Sequence, residues 1–341
     1  MDEYAVMPKA DYQDACDAVR EKTGGTELIK SGDLGDQIRS IQSGGGSGGG
    51  GGDTSTEDGL VTGTLTEYFN DRVESIRKYA FCYYALTSVD FPNVTSIGAN
   101  AFSNCSALTS VNIPNATSIG DSALNNCSAL TSVDFPNVTS MGTNVFSQCK
   151  ALTSVNIPNI TSIGNYAFYY CGALTSADFP NVTSMGTSVF YNCNSLTSVA
   201  LPLVTSIGEQ LFANCSALTS VDFPNVTSVG RYAFQQCSAL TSADFPLATS
   251  IGDYAFYYCG ALISLILRNT ETVCSLSGKY AFIQASGGGS APTGLYIYVP
   301  SALISRYRTA TNWSSYSSKF RALEDYTVDG TTTGALDESK I

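Results

Sequence analysis

Residues 152–173 read LTSVNIPNITSIGNYAFYYCGA, and this 22-residue pattern recurs along most of the chain. Its leading leucine returns every 22 residues, at Leu86, Leu108, Leu130, Leu152, Leu174, Leu196, Leu218, Leu240 and Leu262. A short fixed period is typical of a solenoid, in which each coil buries its apolar edge only against neighbouring coils. The sequence therefore predicts a repeat architecture whose core runs the length of the stack.

The first half of the coil predicts a strand that ends at a corner. Leu152, Val155 and Ile157 have the L-x-x-L-x-L spacing of a repeat strand, and Ser154 faces the other way. Pro158 has no N–H for a parallel ladder, so we expect the strand to end before it. Stacking such coils about 4.8 Å apart would pair the strands into one long parallel sheet.

The second half of the coil predicts a sharp turn and then a short helical turn. Gly164 is expected to allow the tight or left-handed backbone with which the coil turns again. Ala167, Phe168 and Cys171 have helical spacing, so a helical turn would put all three inside. The variable residues around them are expected to face outward.

A second period of 44 residues overlies the first, because the outward strand residue alternates in type. It reads Asp90, Asn112, Asp134, Asn156 and Asp178 along the chain. We expect duplication of a two-coil unit, in which the interleaved asparagine relieves repulsion between like charges on neighbouring strands.

The combined pattern A-F-x-x-C-x-x-L-T-S-V-x-I-P-x-x-T-S-I-G resembles the BspA-like (Treponema-type) leucine-rich repeat family over roughly residues 60–300. The resemblance implies an α/β repeat fold, a right-handed leucine-rich-repeat solenoid with a long parallel β-sheet, capped at both ends. Surface-exposed bacterial members of the family act as adhesins or protein-binding modules, so the resemblance also implies binding without catalysis.

Residues 1–42 are expected to form a small N-terminal helical attachment segment with two short helices. Val19 lies on the apolar side of the first helix, and Ile38 lies on that of the second. The sequence of residues 21–41, EKTGGTELIKSGDLGDQIRSI, resembles an N-terminal segment found on tail and structural proteins of phages and prophages of gut bacteria. A segment of 42 residues with two short helices is too small to form a hydrophobic core of its own. We therefore expect it to bind a virion component or to form a homo-oligomer.

A glycine-rich flexible linker is expected at residues 43–59, and an engineered linker would have the same composition. The leucine-rich-repeat solenoid would then occupy residues 60–290 and begin with an N-terminal cap at 60–82. Charged residues such as Glu74 and Lys78 would give this outermost coil a polar face.

Residues 291–330 are expected to close the other end of the stack with a last strand and a capping helix. The strand would cover residues 296–300, and Ser301 would N-cap a helix running to about Leu323. Apolar residues of this helix would cover the open core, namely Leu303, Tyr307, Trp313, Tyr316 and Phe320. The ending YVPSALISRYRTATNW also resembles the usual finish of these repeat proteins, and residues 331–341 are expected to form a loose tail.

Charge and composition exclude several classes of function. The net charge of −12 argues against a nucleic-acid-binding face, which needs clustered Lys and Arg. No apolar run is long enough to span a membrane, and residues 1–10 do not have the pattern of a secretory signal. The chain has no histidine, so Ser–His, Cys–His and His–metal sites are absent. We therefore expect no enzyme activity, no cofactor and no metal.

Eight of the eleven cysteines fall in one register at 22-residue intervals. They are Cys105, Cys127, Cys149, Cys171, Cys193, Cys215, Cys237 and Cys259. A disulfide framework and a metal site are the functional alternatives, but the wide regular spacing favours a ladder of buried thiols that act as small apolar residues. Cys16, Cys82 and Cys274 lie outside this register and have no assigned role.

Two polar columns are open to more than one interpretation. The Asp/Asn column, including Asp222 and Asp244, could bind calcium or hold paired carboxylates, although a solvated sheet face favours neither. The asparagines after the corner proline form N-x-T acceptors, but their fixed place in the coil fits turn hydrogen bonding better. They are Asn93, Asn115, Asn137, Asn159, Asn181 and Asn225. The regular Thr-Ser face would suit a repetitive ligand such as a glycan, or no ligand.

Tyrosines at the variable outward positions are the candidate binding residues. One aromatic patch is expected from Tyr166, Tyr169, Tyr170 and Tyr191. A second is expected from Tyr232, Tyr254, Tyr257 and Tyr258. Equivalent positions in other coils, such as Ser103, Ser147 and Ala213, are also expected outside. Tyrosine with Ser, Asn and Gly is typical of adaptable recognition surfaces, while exposed tyrosines without a partner are the simpler alternative.

These features favour a non-catalytic binding protein, tail-associated in a phage or prophage, whose solenoid recognises a host surface protein or glycan. Such a protein would be located on the virion or released from the cytoplasm on lysis. The alternatives are a bacterial cell-surface leucine-rich-repeat adhesin, which needs an export signal or wall anchor, and a protein–protein interaction scaffold.

Overall fold

The computed structural model describes residues 67–69, 73–283, 291–325, 327–328 and 331–332. The helical segment expected at 1–42, the linker at 43–59 and the first part of the N-terminal cap lie outside the described residues. Cys16 and the glycine-rich loop at 286–290 also lie outside them. The predictions for these segments stay predictions.

The chain forms a parallel solenoid in which each regular 22-residue repeat is one coil, as the sequence predicts. A first short strand precedes the corner proline, and in it Val133, for example, is buried between the exposed Ser132 and Asp134. This first strand column comprises Glu67–Phe69, Ser88–Asp90, Ser110–Asn112, Ser132–Asp134, Ser154–Asn156, Ser176–Asp178, Ser198–Ala200, Ser220–Asp222, Ser242–Phe245, Ser264–Leu267, Tyr296–Val299 and Phe320–Ala322.

A second, two-residue strand follows the corner in each coil, whereas the sequence predicted a single long sheet. This second strand column comprises Ser75–Ile76, Ser96–Ile97, Ser118–Ile119, Ser140–Met141, Ser162–Ile163, Ser184–Met185, Ser206–Ile207, Ser228–Val229, Ser250–Ile251 and Ser275–Leu276. The backbone is extended again after the corner, and the N–H of Thr161 donates to the carbonyl of Thr139 at 2.9 Å. Two edges of each coil therefore form parallel ladders.

The third side of each coil, which we call the flank, runs from the glycine after the second strand to the column cysteine. In the central coil it consists of turns, with Tyr166 and Tyr170 at φ of 58° and 59°. Their N–H groups donate to the carbonyls of Thr187 and Tyr191 in the next coil, at 3.0 and 2.9 Å. The predicted short helical turn is therefore wrong, because alternate flank N–H groups bond to the next coil, those between them close tight turns, and two left-handed residues interrupt any helix.

Gly164 has a different role from the one expected. The left-handed residues are Tyr166 and Tyr170, while a Cβ on Gly164 would lie 2.3 Å from the carbonyl oxygen of Gly142. Glycine is required here because the backbone of the preceding coil passes too close for any side chain.

The core is a continuous apolar column inside the three edges. Phe168 and Phe190 are fully buried, with ring centroids 5.5 Å apart and planes 2° from parallel. Cys149, Cys171 and Cys193 are also fully buried, and all ten cysteines in the described residues are free thiols. These placements confirm that identical residues of successive repeats form columns.

The 44-residue period appears in the strand pairing. The strand at Ser88–Asp90 pairs with Ser110–Asn112, and Ser132–Asp134 pairs with Ser154–Asn156, but the two pairs belong to separate sheets. Within each pair the asparagine amide donates to the aspartate, as from Asn156 Nδ2 to Asp134 Oδ1 at 2.8 Å. The middle of the first strand column is thus divided into two-coil units, while the sheets at its two ends have three and five strands, and the paired part supports the interpretation of the sequence period.

The C-terminal cap buries the five residues that were predicted from the sequence to cover the open end of the core. Leu303, Tyr307, Trp313, Tyr316 and Phe320 are all buried, and the Trp313 indole N–H donates to the carbonyl of Cys274 at 2.6 Å. Because the Cys274 N–H also donates to the Tyr307 hydroxyl, this cysteine joins the cap to the last full coil.

The capping element is not the single helix that the sequence predicted. It consists of a 3-10 turn at Ser301–Leu303, an α-helix at Ile304–Thr309, a 3-10 helix at Trp313–Lys319, the strand Phe320–Ala322 and a 3-10 turn at Leu323–Asp325. Ser301 is not an N-cap, since its hydroxyl donates to Glu324.

The strand Tyr296–Val299 is not the last of its column, because Phe320–Ala322 pairs with it in parallel. The tail expected at residues 331–341 begins with Thr331–Thr332, which pairs antiparallel with Thr327–Val328, and residues 333–341 lie outside the described residues. No helix in the described part of the chain is long and apolar enough to cross a membrane.

Candidate binding surface

All eight tyrosines predicted as binding residues lie on the flank of their coils. Five of them occupy left-handed backbone positions, namely Tyr166, Tyr170, Tyr232, Tyr254 and Tyr258. The flank projects these side chains away from the core because the residues between them, such as Ala167 and Phe168, point inward and are fully buried.

The first four tyrosines form one contact group, which we call the first tyrosine cluster (Tyr166, Tyr169, Tyr170 and Tyr191). The ring of Tyr169 lies 5.6 Å from Tyr166, 4.6 Å from Tyr170 and 5.0 Å from Tyr191. Tyr170 is the most exposed member, with 39% of its surface accessible. The structure therefore brings together the residues that the sequence placed in the first patch.

The second tyrosine cluster (Tyr232, Tyr254, Tyr257, Tyr258 and Tyr280) includes one residue that sequence reasoning missed. Tyr254 stacks between Tyr232 at 4.9 Å and Tyr280 at 5.4 Å. Tyr257 contacts Tyr254 at 5.3 Å and stacks on Tyr258 at 3.9 Å.

Tyr280 was missed because the irregular coil shifts it 26 residues from Tyr254, outside the 22-residue register. The signal that could have found it is the Ala281-Phe282 pair, which corresponds to Ala255-Phe256 and puts Tyr280 in the same column. Phe282 does stack on Phe256, at 5.4 Å.

Two cations border the second cluster. The guanidinium of Arg231 lies 4.5 Å from the centroid of the Tyr232 ring and also donates to its hydroxyl at 3.1 Å. The ammonium of Lys279 lies 5.1 Å from the Tyr280 ring. Both cations sit over aromatic faces, an arrangement that stabilises an exposed stack by about 0.5–1 kcal/mol for each pair.

The pKa of a central tyrosine is raised in each cluster. Burial, followed by the neighbouring tyrosines, raises the pKa of Tyr169 to about 12. The hydrogen bond that the Tyr257 hydroxyl donates to Tyr258, followed by burial, raises the pKa of Tyr257. Each cluster therefore has a central tyrosine whose O–H group can donate and accept hydrogen bonds.

Tyrosine at the left-handed positions strains the backbone. A non-glycine residue in this backbone region costs roughly 1–2 kcal/mol, and asparagine tolerates it best. Other coils do have asparagine there, at Asn100, Asn104, Asn126, Asn144, Asn192 and Asn214. Since stored backbone strain tends to occur at functional sites, the tyrosines mark this part of the flank as a candidate binding surface.

The flank of the N-terminal half differs from the sequence-based expectation. Ser103 and Ser147, and also Ala213 further along the chain, are buried although they were expected outside, whereas the larger Tyr169 in the same column is only half-buried. The neighbouring residues there form a polar network, with Asn126 Nδ2 donating to Asn104 Oδ1 at 2.8 Å.

The cysteine column is structural. Each of its eight thiols donates to a backbone carbonyl of the preceding coil, as from Cys193 Sγ to the carbonyl of Phe168 at 3.2 Å. Burial raises the pKa of the seven column thiols from Cys127 to Cys259, that of Cys149 to about 12, so they are protonated and poor nucleophiles. Within the described residues, no group of three His, Cys, Asp or Glu side chains is placed to hold a metal ion.

The polar columns of the two sheets are used for bonding between coils. The Thr153 hydroxyl donates to the Thr131 carbonyl at 3.0 Å, and the same bond recurs in other coils of both strand columns. Asp222 and Asp244 are opposite one another, as expected, but Asp244 forms an ion pair with Arg268 at 2.7 Å. The regular recurrence of threonine, aspartate and asparagine on the sheets is therefore explained by the hydrogen bonds and the ion pair that these side chains form between coils.

The asparagines that follow the corner proline form a third ladder. Asn159 Nδ2 donates to the carbonyl of Pro136 at 2.7 Å, and Asn181 Nδ2 donates to that of Pro158 at 2.9 Å. The turn interpretation of these N-x-T sequences is supported, with the difference that the bonded proline belongs to the preceding coil.

Comparison with known proteins gives one family and a set of related folds. The model of the BspA type leucine rich repeat region matches residues 74–197 and 161–286 with six copies. No curated protein sequence matches the chain.

Three solved structures illustrate the similarity in fold. A leucine-rich repeat protein from Bacteroides ovatus is 21% identical and covers 79% of this chain and 97% of its own, with a TM-score of 0.39. A leucine rich cell surface protein from Faecalibacterium prausnitzii is 23% identical and covers 66% and 96%, with a TM-score of 0.29. The pneumococcal vaccine antigen PcpA is 16% identical and covers 79% and 80%, with a TM-score of 0.45.

The family match spans more than half of the chain and coincides with the coils described above. The protein therefore belongs to the BspA-type leucine-rich repeat family.

Proposed function

We propose that this protein is a non-catalytic binding and adhesion protein that contacts its partner through the two tyrosine clusters of the flank. Membership of a family that is generally non-catalytic and often found at the cell surface supports this role and a location on the bacterial surface. A binding role needs no catalytic constellation, and the regular sheet faces are already occupied by bonds between coils.

The observation that carries the proposal is clustered tyrosine in left-handed backbone positions that hold asparagine, serine or glutamine in most other coils, apart from Tyr79 and Tyr83 in the first coil. A purely structural flank would gain stability from asparagine at Tyr170 and Tyr258, because the left-handed strain would be relieved. Their retention is explained if the exposed aromatic surface binds a partner, since tyrosine provides contact area at low entropic cost.

The test compares the full chain with the double variant Tyr170→Asn/Tyr258→Asn on an array of purified extracellular proteins and polysaccharides. We expect at least one component to bind, and its affinity to fall by about tenfold or more in the double variant, as when an aromatic anchor is removed. The matched control is Gln148→Asn, which changes the same left-handed flank position in a coil without tyrosine.

The control should bind like the parent protein, and all three chains should melt within a few degrees of one another. Equal binding by the double variant and the parent would contradict the proposed surface, as would binding to no component of the array.

A role as a tail-associated host-recognition protein of a phage or prophage is the second candidate. It rests on the resemblance of the N-terminal segment, which lies outside the described residues. Co-purification of the full chain with tail particles, lost on deletion of residues 1–42, would support it, whereas recovery with the cell envelope alone would favour the surface adhesin.

A further inference from the structure

The two tyrosine clusters contain the same local sequence. YAFYYCGAL occurs at residues 166–174 and again at 254–262, 88 residues or four coils later. Each copy supplies a triad in the same flank columns, Tyr166, Tyr169 and Tyr170 in one and Tyr254, Tyr257 and Tyr258 in the other. No other coil in the chain has tyrosine at all three of these positions.

The two triads have similar geometry. The first two rings lie nearly perpendicular in both, at 5.6 Å and 90° for Tyr166 and Tyr169 and at 5.3 Å and 88° for Tyr254 and Tyr257. The third ring differs, since Tyr170 is tilted 64° from its neighbour while Tyr258 is stacked at 19°.

The distance between the triads is set by a continuous ladder on the flank. The N–H of Tyr170 donates to Tyr191, and that of Asn192 donates to Ala213 in the next coil. The ladder continues from Asn214 to Gln235, and the last bond runs from Gln236 to Tyr257. Four coils spaced about 4.8 Å apart place the triads about 19 Å apart on one face.

A glycine leaves room beside the first triad. A Cβ on Gly172 would meet nothing within 4 Å, and its φ lies outside the left-handed region, so the fold does not require glycine there. Other coils have a side chain at this position, and the hydroxyls of Ser216 and Ser238 bond to the preceding coil. The second copy of the motif repeats the glycine at Gly260.

Polar side chains occupy two of the triad columns in the coils between the triads, and the charged Glu209 and Arg231 lie beside them. The amide side chains there that are at least partly exposed include Asn192, Gln210 and Gln236. Their amide groups can donate hydrogen bonds to ligand hydroxyls and accept hydrogen bonds from them.

We infer that the two triads are equivalent subsites for one linear polysaccharide that lies along the flank. The inference rests on the proposed function and names the class of ligand. A sugar chain offers C–H faces to the tyrosine rings and hydroxyl donors to the amides between them. Its repeating units explain why the same triad is used twice at a fixed distance.

Bivalent contact has a distinctive signature. Once one triad is bound, the second contact is intramolecular, so a chain that reaches both subsites gains avidity of about 10²-fold or more over a shorter one. Fragments shorter than about 19 Å can occupy one triad only.

The experiment uses the full chain and an array of purified linear bacterial polysaccharides, each as the intact chain and as hydrolysed fragments shorter than the span. Variants are Tyr170→Asn, Tyr258→Asn and the double variant, with Gln148→Asn as the matched control. We expect the intact chain to bind about 10²-fold more tightly than its fragments. Either single variant should reduce that affinity to the fragment level, and the double variant should abolish binding.

Equal affinity for intact chains and fragments would overturn the inference. So would single variants that each reduce the affinity only slightly, with a double variant whose loss of binding free energy is the sum of the two. Binding to no polysaccharide would also overturn it. If a protein is bound instead, and the double variant loses that binding, the proposed function holds while the polysaccharide inference fails. Binding that none of the variants changes would contradict both.

Discussion

The Sγ atom of Cys171 lies 3.0 Å from the carbonyl oxygen of Phe146 in the preceding coil and donates a hydrogen bond to it. The same bond recurs along the whole column, for example from Cys127 to Phe102 at 3.2 Å. The Phe146 carbonyl already accepts the N–H of Cys149 in its own coil at 3.1 Å, and the thiol supplies a second donor to it inside the core. Cysteine is thus favoured over alanine or valine because it is small and apolar and also supplies a donor.

Alkaline pH is expected to destabilise the solenoid through this column. The ordinary pKa of a cysteine is 9.0, and burial raises those of Cys149 and Cys237 to about 12 in the folded protein. Between these values the unfolded chain loses protons that the folded chain keeps, so the free energy of unfolding falls as pH rises from 9 towards 12. Denaturant midpoints measured at pH 7, 9 and 10.5 should fall progressively, because at pH 9 about half of the thiols of the unfolded chain are already ionised.

The control for the alkaline effect is the double variant Cys149→Ala/Cys237→Ala. It should be less stable at pH 7 by about 0.5–1.5 kcal/mol for each thiol hydrogen bond lost, because the carbonyls of Leu124 and Phe212 still accept the N–H groups of Cys127 and Cys215. Its loss of stability above pH 9 should be smaller than that of the parent, and an equal loss would exclude the thiols as the cause.

Substitution by alanine is expected to lower the stability of the protein at one glycine of the central coil and to leave it nearly unchanged at another. Gly164→Ala places a Cβ 2.3 Å from the carbonyl oxygen of Gly142, so the coils must separate. We expect a loss of about 1–3 kcal/mol or more, as for other overpacked sites. Gly172→Ala meets no atom within 4 Å and should change stability by less than about 0.5 kcal/mol.

Thermal and denaturant unfolding of the two glycine variants would measure the difference. Equal effects would show that the spacing of the coils is not limited by Gly164. If Gly172→Ala weakens ligand binding without changing the melt, the space beside the first triad serves recognition.

Leu203→Asn is expected to stabilise the protein. Leu203 is 45% exposed at a corner where neighbouring coils place an asparagine. Asn181 and Asn225 both donate to the proline carbonyl of the preceding coil, at 2.9 and 2.7 Å. An asparagine at 203 can reach Pro180 in the same way, adding about 0.5–1.5 kcal/mol to the free energy of unfolding.

The reverse change, Asn225→Leu, should cost a similar amount. Denaturation curves of both variants would test the ladder, and a decrease in stability for Leu203→Asn would show that the local backbone does not admit the bond.

Amide hydrogen exchange should reveal the two-coil units. The N–H groups of Thr109 and Thr241 donate to the preceding coil at 2.8 Å, inside a unit. Thr131 and Thr219 precede strands that are separated from the preceding coil by a break between sheets. We expect these two amides to exchange at least about tenfold faster, since exposed or unpaired amides open locally at low cost. Uniform protection of all four threonines would contradict the unit boundaries.

Much of the site could be predicted from the sequence because the repeat is so regular. A 22-residue register places Tyr169 and Tyr191 in the same column, and their rings do stack at 5.0 Å. The register fails at Tyr280, where a longer coil shifts the numbering but leaves the column intact. The left-handed backbone of Tyr170 could not be foreseen, because tyrosine has no preference for that region.

The sequence by itself determined the period, the inward columns, the buried thiols and the aromatic residues that close the C-terminal end. Burial of apolar side chains decides these features, and it depends only on which residues recur at the same position. Tertiary structure decided where each backbone N–H and carbonyl is satisfied. The second strand column, the left-handed flank, the crowding at Gly164 and the bond from Cys171 to Phe146 all depend on the neighbouring coil, whose distance and orientation no local pattern specifies.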